Sequence, residues 1–304
     1  MKKSTLILKL SAASLLIAFV SQTAQAQVPF YSVNGIGGTG GGTAGVTVTP
    51  STSPSGSTAL TDLGASTQFS FGTGPNGVAG ESLVNAATGQ GGAGVLAGTL
   101  GASSSLSAFT VTLWVNLATA TLNNYRMLEL ATGSPATTGS TDGQTLFLGL
   151  NAGGGMQFYV NNVNNNFPDE VAGAATWNNG GVLGNVTANT WYFEAVTYNV
   201  GATSSLLYSG SQTSAATLAY TFGPTATTGG NLNLSAATSI ALLDRFSGGR
   251  NFPGAIDDVN IYTGALTQSQ LDAIRIAQAP EPGTMALTAL GSLAWLTVLR
   301  RRNK

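Results

Sequence analysis

The sequence predicts an all-β protein built as an antiparallel sandwich, and three observations lead to that prediction. Charged residues make up only 8% of the 304-residue chain and 41 residues are glycine. Helix-favouring charged positions are therefore few, and turn formers are many. Residues 109–117 alternate at period two, and many other short apolar runs are separated by Gly, Asn and Ser clusters. Such punctuation is typical of an antiparallel sandwich.

The strand at 109–117 is the clearest single element. Its apolar positions all fall on one face: Phe109, Val111, Leu113, Val115 and Leu117. Thr110, Thr112, Trp114 and Asn116 fall on the other face, so we expect a half-buried strand. Further strand candidates lie at 67–71, 126–130, 145–150, 156–160, 191–198, 205–208, 218–222, 239–243 and 256–262.

The remaining organisation is a lead-in, a single sandwich and one helix. Residues 27–58 are rich in Gly, Ser and Thr without apolar periodicity, which predicts a flexible lead-in with one short strand at most. The sandwich is expected over 59–279. Within it, Thr267 and Gln270 have the spacing of a capping box. They begin a short helix at about 267–277 that we interpret as a closing clasp.

Charge is unevenly distributed along the chain. Residues 27–279 contain four arginines and 11 acidic residues, a net charge of −7, which argues against a nucleic-acid partner. The absence of cysteine excludes disulfides, cysteine nucleophiles and cysteine zinc sites. The absence of histidine removes the usual general base, so any bound metal would be a hard cation held by oxygen ligands.

Residues 1–26 have the organisation of a secretion signal. Lys2 and Lys3 form a positively charged start, Leu10–Val20 is the apolar stretch, and Ala24 and Ala26 form a small-x-small cleavage site. Signal peptidase would then leave Gln27 as the mature N-terminus. The alternative is an uncleaved membrane anchor.

The last 25 residues, 280–304, form a second targeting pattern. An uncharged, mostly apolar run, Thr284–Leu299, separates a proline-containing triplet from a basic cluster. As a helix this run would span about 24 Å, a single transmembrane segment slightly short for a bilayer core of roughly 30 Å. The triplet is Pro280, Glu281 and Pro282, and the cluster is Arg300, Arg301 and Arg302. The arginines would stay in the cytoplasm and the preceding chain outside.

This order of triplet, helix and arginines resembles the PEP-CTERM sorting signal. The resemblance implies recognition and cleavage near the triplet by the membrane enzyme exosortase. It also implies an inner-membrane precursor and a final place in the envelope, or outside the cell, of a Gram-negative-type bacterium that makes exopolysaccharide or biofilm matrix. The alternative is a plain C-terminal membrane anchor.

Three segments resemble the laminin-G-like, concanavalin A-like jelly roll. Residues 109–115 read FTVTLWV, 191–198 read WYFEAVTY, and 254–262 read GAIDDVNIY. The third segment resembles the family's closing strand most closely, although the family's usual histidine in the second is Phe193 here. The resemblance implies one jelly-roll domain over roughly 60–277.

Asp257 and Asp258 are the best candidates for a metal site. Adjacent residues on a strand point to opposite faces, so one carboxylate must face inward or reach an edge, and burying it unpaired is costly. In the family that the chain resembles, the pair can contribute to a structural Ca²⁺ site. The alternative is that one aspartate pairs with Arg245, Arg250 or a turn amide.

A second candidate site lies in an amide-rich segment, whose side chains suit sugar hydroxyls. Its residues are Asn161, Asn162, Asn164, Asp169, Glu170 and the nearby Trp177. The alternatives are a solvated hairpin loop and a half-packed tryptophan.

Catalysis is not expected. Glycosidases need two facing carboxylates at a set separation, and the E-x-D-x-x-E run of laminarinase-type jelly rolls is absent. The core glutamates are Glu81, Glu129, Glu170 and Glu194, of which only Glu170 has an adjacent acid, Asp169. We therefore expect an exported, non-catalytic module that binds exopolysaccharide or a surface protein. The alternatives are a purely structural matrix protein and a divergent glycosidase.

Overall fold

A computed structural model describes the sandwich region of the chain. The described residues are 27–36, 38–40, 46–63, 68–86, 95–101, 105–119, 124–132, 144–150, 156–160, 187–202, 205–222, 230–246 and 248–279. The predicted signal residues Ala24 and Ala26, the sorting motif from Pro280 to Pro282, the predicted apolar helix and the terminal arginines lie outside them. No helix within the described ranges is both long and apolar enough to cross a membrane.

Sixteen strands and one helix make up the described part. The strands are β1 (Tyr31–Val33), β2 (Thr39–Gly40), β3 (Val46–Val48), β4 (Leu60–Leu63), β5 (Phe69–Thr73), β6 (Ala79–Asn85), β7 (Val95–Thr99), β8 (Ala108–Leu117), β9 (Tyr125–Thr132), β10 (Gln144–Leu150), β11 (Met156–Val160), β12 (Trp191–Asn199), β13 (Ser205–Ser211), β14 (Thr217–Phe222), β15 (Thr238–Leu242) and β16 (Gly254–Thr263). The helix is α1 (Gln268–Gln278).

The strands form two eight-stranded antiparallel sheets, which confirms the predicted sandwich. The first sheet has the order β14-β13-β12-β8-β16-β6-β5, with β1 paired to β16. The second has the order β11-β10-β9-β15-β7-β4-β3-β2. One buried apolar cluster joins residues from both sheets, including Phe109, Phe158 and Tyr198, whose rings lie 5.0–6.2 Å apart. This cluster is the core of the sandwich.

The helix covers the outer face of the first sheet. Strand β8 is consequently buried on both faces, and the expectation that it is half-buried was wrong. Trp114 is fully buried in a second apolar cluster with Phe193 and Leu271, and its indole Nε1 donates a hydrogen bond to Gln278 Oε1 at 3.2 Å. The predicted capping box at Thr267 is confirmed.

The lead-in contributes strands to both sheets. Residues 27–58 contain β1, β2 and β3, more than the one short strand expected. Tyr31 and Val33 on β1 and Val48 on β3 are fully buried in the core. Strand β1 is stabilised by pairing with the distant β16, which local periodicity does not reveal, and β3 pairs with the nearby β4.

The segment between β15 and β16, residues 243–253 (the β15–β16 segment), lies against the outer face of the second sheet. Phe246 packs there on Ala131 and Ala241. The Leu243 amide donates to the Met127 carbonyl at 3.0 Å, and the Arg126 amide donates to the Arg250 carbonyl at 2.8 Å. These bonds fix the segment beside β9.

Candidate functional site

The predicted metal pair lies at a bulge in β16. The register with β8 shifts between Asp257 and Asn260, and Asp258 has φ = 45°. A bulge breaks the alternation of faces along a strand. The bulge falls where the two aspartates were expected to be directed to opposite faces, and both carboxylates lie within electrostatic range of Glu81.

An acidic cluster forms around this bulge, consisting of Glu81, Asp257 and Asp258. Asp257 is 2% exposed, and its Oδ1 accepts a hydrogen bond from the Asp258 amide at 2.8 Å. Asp257 Oδ2 and Glu81 Oε2 both lie beside Gly74. A Cβ atom added to this glycine would stand 3.1 Å from Glu81 Oε2 and closer still to Asp257 Oδ2. Asp258 Oδ1 accepts from Asn34 Nδ2 at 3.4 Å.

Two of these carboxyl groups have altered acidity. Burial, and then the neighbouring Asp258 and Glu81 charges, raise the pKa of Asp257 to about 8. Burial and Glu81 also raise the pKa of Asp258 to about 6, against the hydrogen bond from Asn34. A bound cation would reduce the electrostatic repulsion between such closely spaced carboxylates.

The side chains of the cluster are of the type that binds a cation through oxygen atoms. They do not form a complete metal site by themselves. Two carboxylates and an amide are the oxygen ligands that Ca²⁺ takes. Within the described ranges, however, no three Asp, Glu, His or Cys side chains are grouped to hold a metal. Main-chain carbonyls and water would therefore have to supply the remaining ligands. Of the alternative partners, the amides of Arg245 and Arg250 donate to Asp244 instead, and Asp257 accepts from the amide of Asp258 within β16.

A second polar arrangement, which sequence reasoning missed, lies on the outer face of the second sheet. We call it the arginine site, and its members are Arg126, Phe147, Gln157, Arg245 and Arg250. Arg126 on β9 and Gln157 on β11 both pair with Gly149 on β10. The Arg126 side chain reaches over this glycine, and its Nη1 donates to Gln157 Oε1 at 3.0 Å. The guanidinium carbon lies 3.7 Å from the centroid of the Phe147 ring.

The β15–β16 segment completes the arginine site. Asp244 Oδ1 accepts hydrogen bonds from the amides of Arg245 and Arg250, each at 2.7 Å. Arg245 Nε donates to the Gly248 carbonyl at 2.5 Å. The segment thereby holds Arg245 and Arg250, both half-buried, close to Arg126.

Arg126 is the most buried charge of this site. Its side chain is 2% exposed. Burial first, and then the charge of Arg250, lower the pKa of Arg126 to about 9, against the opposing effect of Glu129. Its Nε has no hydrogen-bond partner. The scarcity of cations was visible in the sequence, but their proximity depends on contacts between β9 and a segment more than 100 residues later.

The other predicted residues are far from these two sites or outside the described ranges. Asn161, Asn162, Asn164, Asp169, Glu170 and Trp177 lie outside the described residues. Glu194 is directed into the sandwich interior, where Ser209 Oγ donates to its Oε1 at 2.7 Å. A carboxyl group in that position is unavailable to a substrate.

One comparison, with models of protein families, agrees with the observed architecture. A family model described as the concanavalin A-like lectin/glucanases superfamily (Laminin_G_3) matches residues 88–272. A search of curated proteins gave no match.

Several solved structures are distantly similar. The botulinum neurotoxin serotype D ligand-binding domain in complex with N-acetylneuraminic acid is 12% identical, covers 83% of this chain and 51% of its own, and has a TM-score of 0.44. Domain 4 of AbnA, a GH43 extracellular arabinanase from Geobacillus stearothermophilus in complex with arabinotriose, is 18% identical, with coverages of 68% and 81% and a TM-score of 0.40. The chain spans about half the length of the neurotoxin domain. Similarities at this level identify no ligand for the present chain.

Proposed function

The chain belongs to the concanavalin A-like lectin/glucanase superfamily, and from this premise we propose that it is an exported protein whose sandwich binds glycan without catalysis. The observation that carries the proposal is the arginine site. Gln157, Arg245 and Arg250 are each partly exposed on one sheet face. A few fixed polar groups on a rigid scaffold are what orients a small ligand such as a sugar.

Absence of catalysis is part of this proposal. The superfamily includes both lectins and glucanases, so membership alone leaves the choice open. Glu194 is enclosed in the interior, and the Glu81 carboxylate belongs to the acidic cluster on the first sheet. Sugar release from exopolysaccharide that survives replacement of Asp169 and Glu170 would contradict the proposal and favour a divergent glycosidase.

Binding is tested directly with the full chain purified in mild detergent. An array of neutral and acidic polysaccharides, probed with and without calcium, should show retention on at least one polymer. If no polysaccharide or surface protein is bound under either condition, the purely structural matrix protein becomes the better description.

Export and sorting complete the proposal. The signal at 1–26 supports cleavage by signal peptidase, and the triplet, apolar run and arginines of the tail support processing by exosortase. The precursor would be held in the inner membrane, and the processed protein would belong to the envelope or extracellular matrix. The N-terminal sequence of mature protein should begin at Gln27.

Calcium at the acidic cluster is a separate part of the proposal. Asp257, Asp258, Glu81 and Asn34 would be the side-chain candidates to hold it. The ion would supply positive charge and tie the β5–β6 hairpin to β16. Its test is a calcium-dependent shift in melting temperature, developed in the Discussion.

A further inference from the structure

Positive charge in the sandwich region is concentrated at one place. Residues 27–279 carry a net charge of −7, with only four arginines. Three of them, Arg126, Arg245 and Arg250, meet at the arginine site, whereas Arg275 is on α1 and pairs with Asp272 at 2.7 Å. Glu129 and Asp244 also act on Arg126, so the three arginines and two acids leave one net positive charge at the site. On an otherwise acidic protein, that local excess favours anions at this face.

The backbone fixes this cluster in place. The amide of Arg126 donates to the carbonyl of Arg250 at 2.8 Å, so the two residues cannot separate without breaking the contact between β9 and the β15–β16 segment. Asp244 holds the other side of the segment through the amides of Arg245 and Arg250. The arginines are thus positioned before any ligand arrives, which lowers the entropic cost of binding.

Arg126 itself has an unused donor. Nη1 is bonded to Gln157 Oε1, and the guanidinium lies over the Phe147 ring. The Nε–H is buried without a hydrogen-bond partner. Leaving a buried donor unsatisfied costs about 1–3 kcal/mol, and an unsatisfied group of this kind calls for an explanation such as a bound acceptor.

The chemistry of the site selects the kind of acceptor. Guanidinium groups only donate, and their planar fork matches the paired oxygens of a carboxylate or a sulfate. A neutral sugar hydroxyl requires no cluster of cations. Resting on the glycan binding proposed above, we propose that the half-buried Arg245 and Arg250, supported by the buried charge of Arg126, bind the anionic group of an acidic polysaccharide, either a uronate carboxylate or a sulfate ester.

The primary experiment compares three polymers on the full chain in mild detergent. Polygalacturonate supplies carboxylates, dextran sulfate supplies sulfate esters, and dextran is neutral. The acidic polymers should bind at least about tenfold more tightly than dextran, since one charge-assisted hydrogen bond already accounts for about that factor. Affinity should also fall with increasing salt. Which acidic polymer binds more tightly distinguishes the carboxylate from the sulfate.

Variants locate the effect. Arg245→Gln and Arg250→Gln should each weaken binding to the acidic polymer by about tenfold and weaken binding to dextran by much less, because dextran has no anionic group. Arg126→Gln should also weaken binding to the acidic polymer, but it removes a buried side chain. If that variant fails to fold, the variants of the two half-buried arginines still test the proposal. Arg275→Gln removes the same charge from α1, far from the site, and should leave binding intact. Circular dichroism confirms the fold of each variant.

The outcomes separate this inference from the proposed function. Equal affinity for dextran and the acidic polymers, or equal losses in Arg275→Gln and Arg250→Gln, would overturn the anion site while leaving glycan binding intact. If no polymer binds, glycan binding fails, and inorganic sulfate and free galacturonate then test the anion site alone. An increase in melting temperature that depends on Arg250 would support it, and no increase with either compound would refute it.

Discussion

Replacing Glu194 with glutamine should remove a defined part of the pH dependence of stability, because the native carboxyl group is enclosed in the sandwich. Glu194 is fully buried, Ser209 Oγ donates to its Oε1 at 2.7 Å, and its Oε2 has no hydrogen-bond partner. Burial raises the pKa of Glu194 well above its ordinary value, and the Ser209 hydrogen bond opposes this only in part. The folded protein therefore retains a proton that the unfolded chain loses.

The raised pKa of Glu194 determines the sign and size of the effect. Below the ordinary glutamate pKa of about 4.3 both states hold the proton, and the contribution of the group to stability is fully present. As the pH rises from there towards the folded pKa, unfolding releases one proton. The free energy of unfolding then falls by about 1.4 kcal/mol per pH unit. The loss ends once the folded pKa is passed.

Urea denaturation of the wild type and Glu194→Gln, at several pH values from about 5 to about 8, measures this slope. Asp244 and other acids also have raised pKa values, so the quantity to compare is the difference between the two curves. Asp244→Asn is the matched control: burial raises the pKa of Asp244 to about 6, so its difference should level off near that pH. Parallel curves for the wild type and Glu194→Gln would refute the buried, protonated carboxyl group.

Three further predictions concern the clasp and the acidic cluster. Trp114→Ala should lower the free energy of unfolding by about 3–5 kcal/mol, because the indole is fully buried under α1. Denaturant unfolding measures this loss. A loss below about 1 kcal/mol, far less than expected for a buried tryptophan, would contradict the packing. Thr267→Ala should cost about 1 kcal/mol through loss of the cap on Gln270, and a Thr267→Ser control should retain most of it. Calcium at a hundredfold excess over its dissociation constant should stabilise the fold by about 2.7 kcal/mol, raising the melting temperature reversibly with chelator. Asp257→Asn and Asp258→Asn are each tested, since only loss of a residue that binds the ion should abolish that shift. An unchanged melting temperature in metal-stripped protein across millimolar calcium would exclude the site.

The parts of the fold that sequence predicted are those in which local pattern and final environment agree. β8 and the nine other strand candidates all correspond to strands, within a few residues at each end. β4, β6 and β7 were missed, and the lead-in holds three strands, β1 to β3, where one at most was expected. Several of these strands pair with partners distant in the chain, as when Val33 pairs with Val259. Trp114 was placed on the correct face of β8, but only the tertiary position of α1 shows that this face is buried.

The two sites differ in predictability for the same reason. Asp257 and Asp258 could be singled out because two acids stand together in an apolar strand. Their approach to Glu81 requires the pairing of β6 with β16 and a bulge that sequence did not indicate. Arg126 appeared as an ordinary strand residue. Its significance comes from Gly149, which leaves space for the guanidinium, and from Arg250, brought alongside by the β15–β16 segment.

The end of α1 also bears on how the proposed sorting tail is connected to the sandwich. Proline disfavours a helical conformation in the residue before it, which predicted that the helix stops before Ala279. This is confirmed: Ala279 is extended, with φ = −78° and ψ = 154°, and its amide donates to the Arg275 carbonyl at 2.9 Å. Ala279 is buried, and Gln278 bonds the indole of Trp114. The clasp is therefore complete one residue before Pro280.

Removal of the tail should consequently leave the sandwich intact. Protein processed by exosortase should lack roughly the last 25 residues, the length of a short spanning segment with its flanks, and should melt at the same temperature as the precursor. Replacing Pro280, Glu281 and Pro282 by alanine should block processing in an exosortase-containing host without changing that temperature. Mass spectrometry of envelope and culture fractions measures the cleavage. Because the clasp ends at Ala279, a processed chain that melts well below its precursor would mean that the tail contributes to the fold. A chain that still ends at Lys304 in the inner membrane would mean that the tail is a plain anchor.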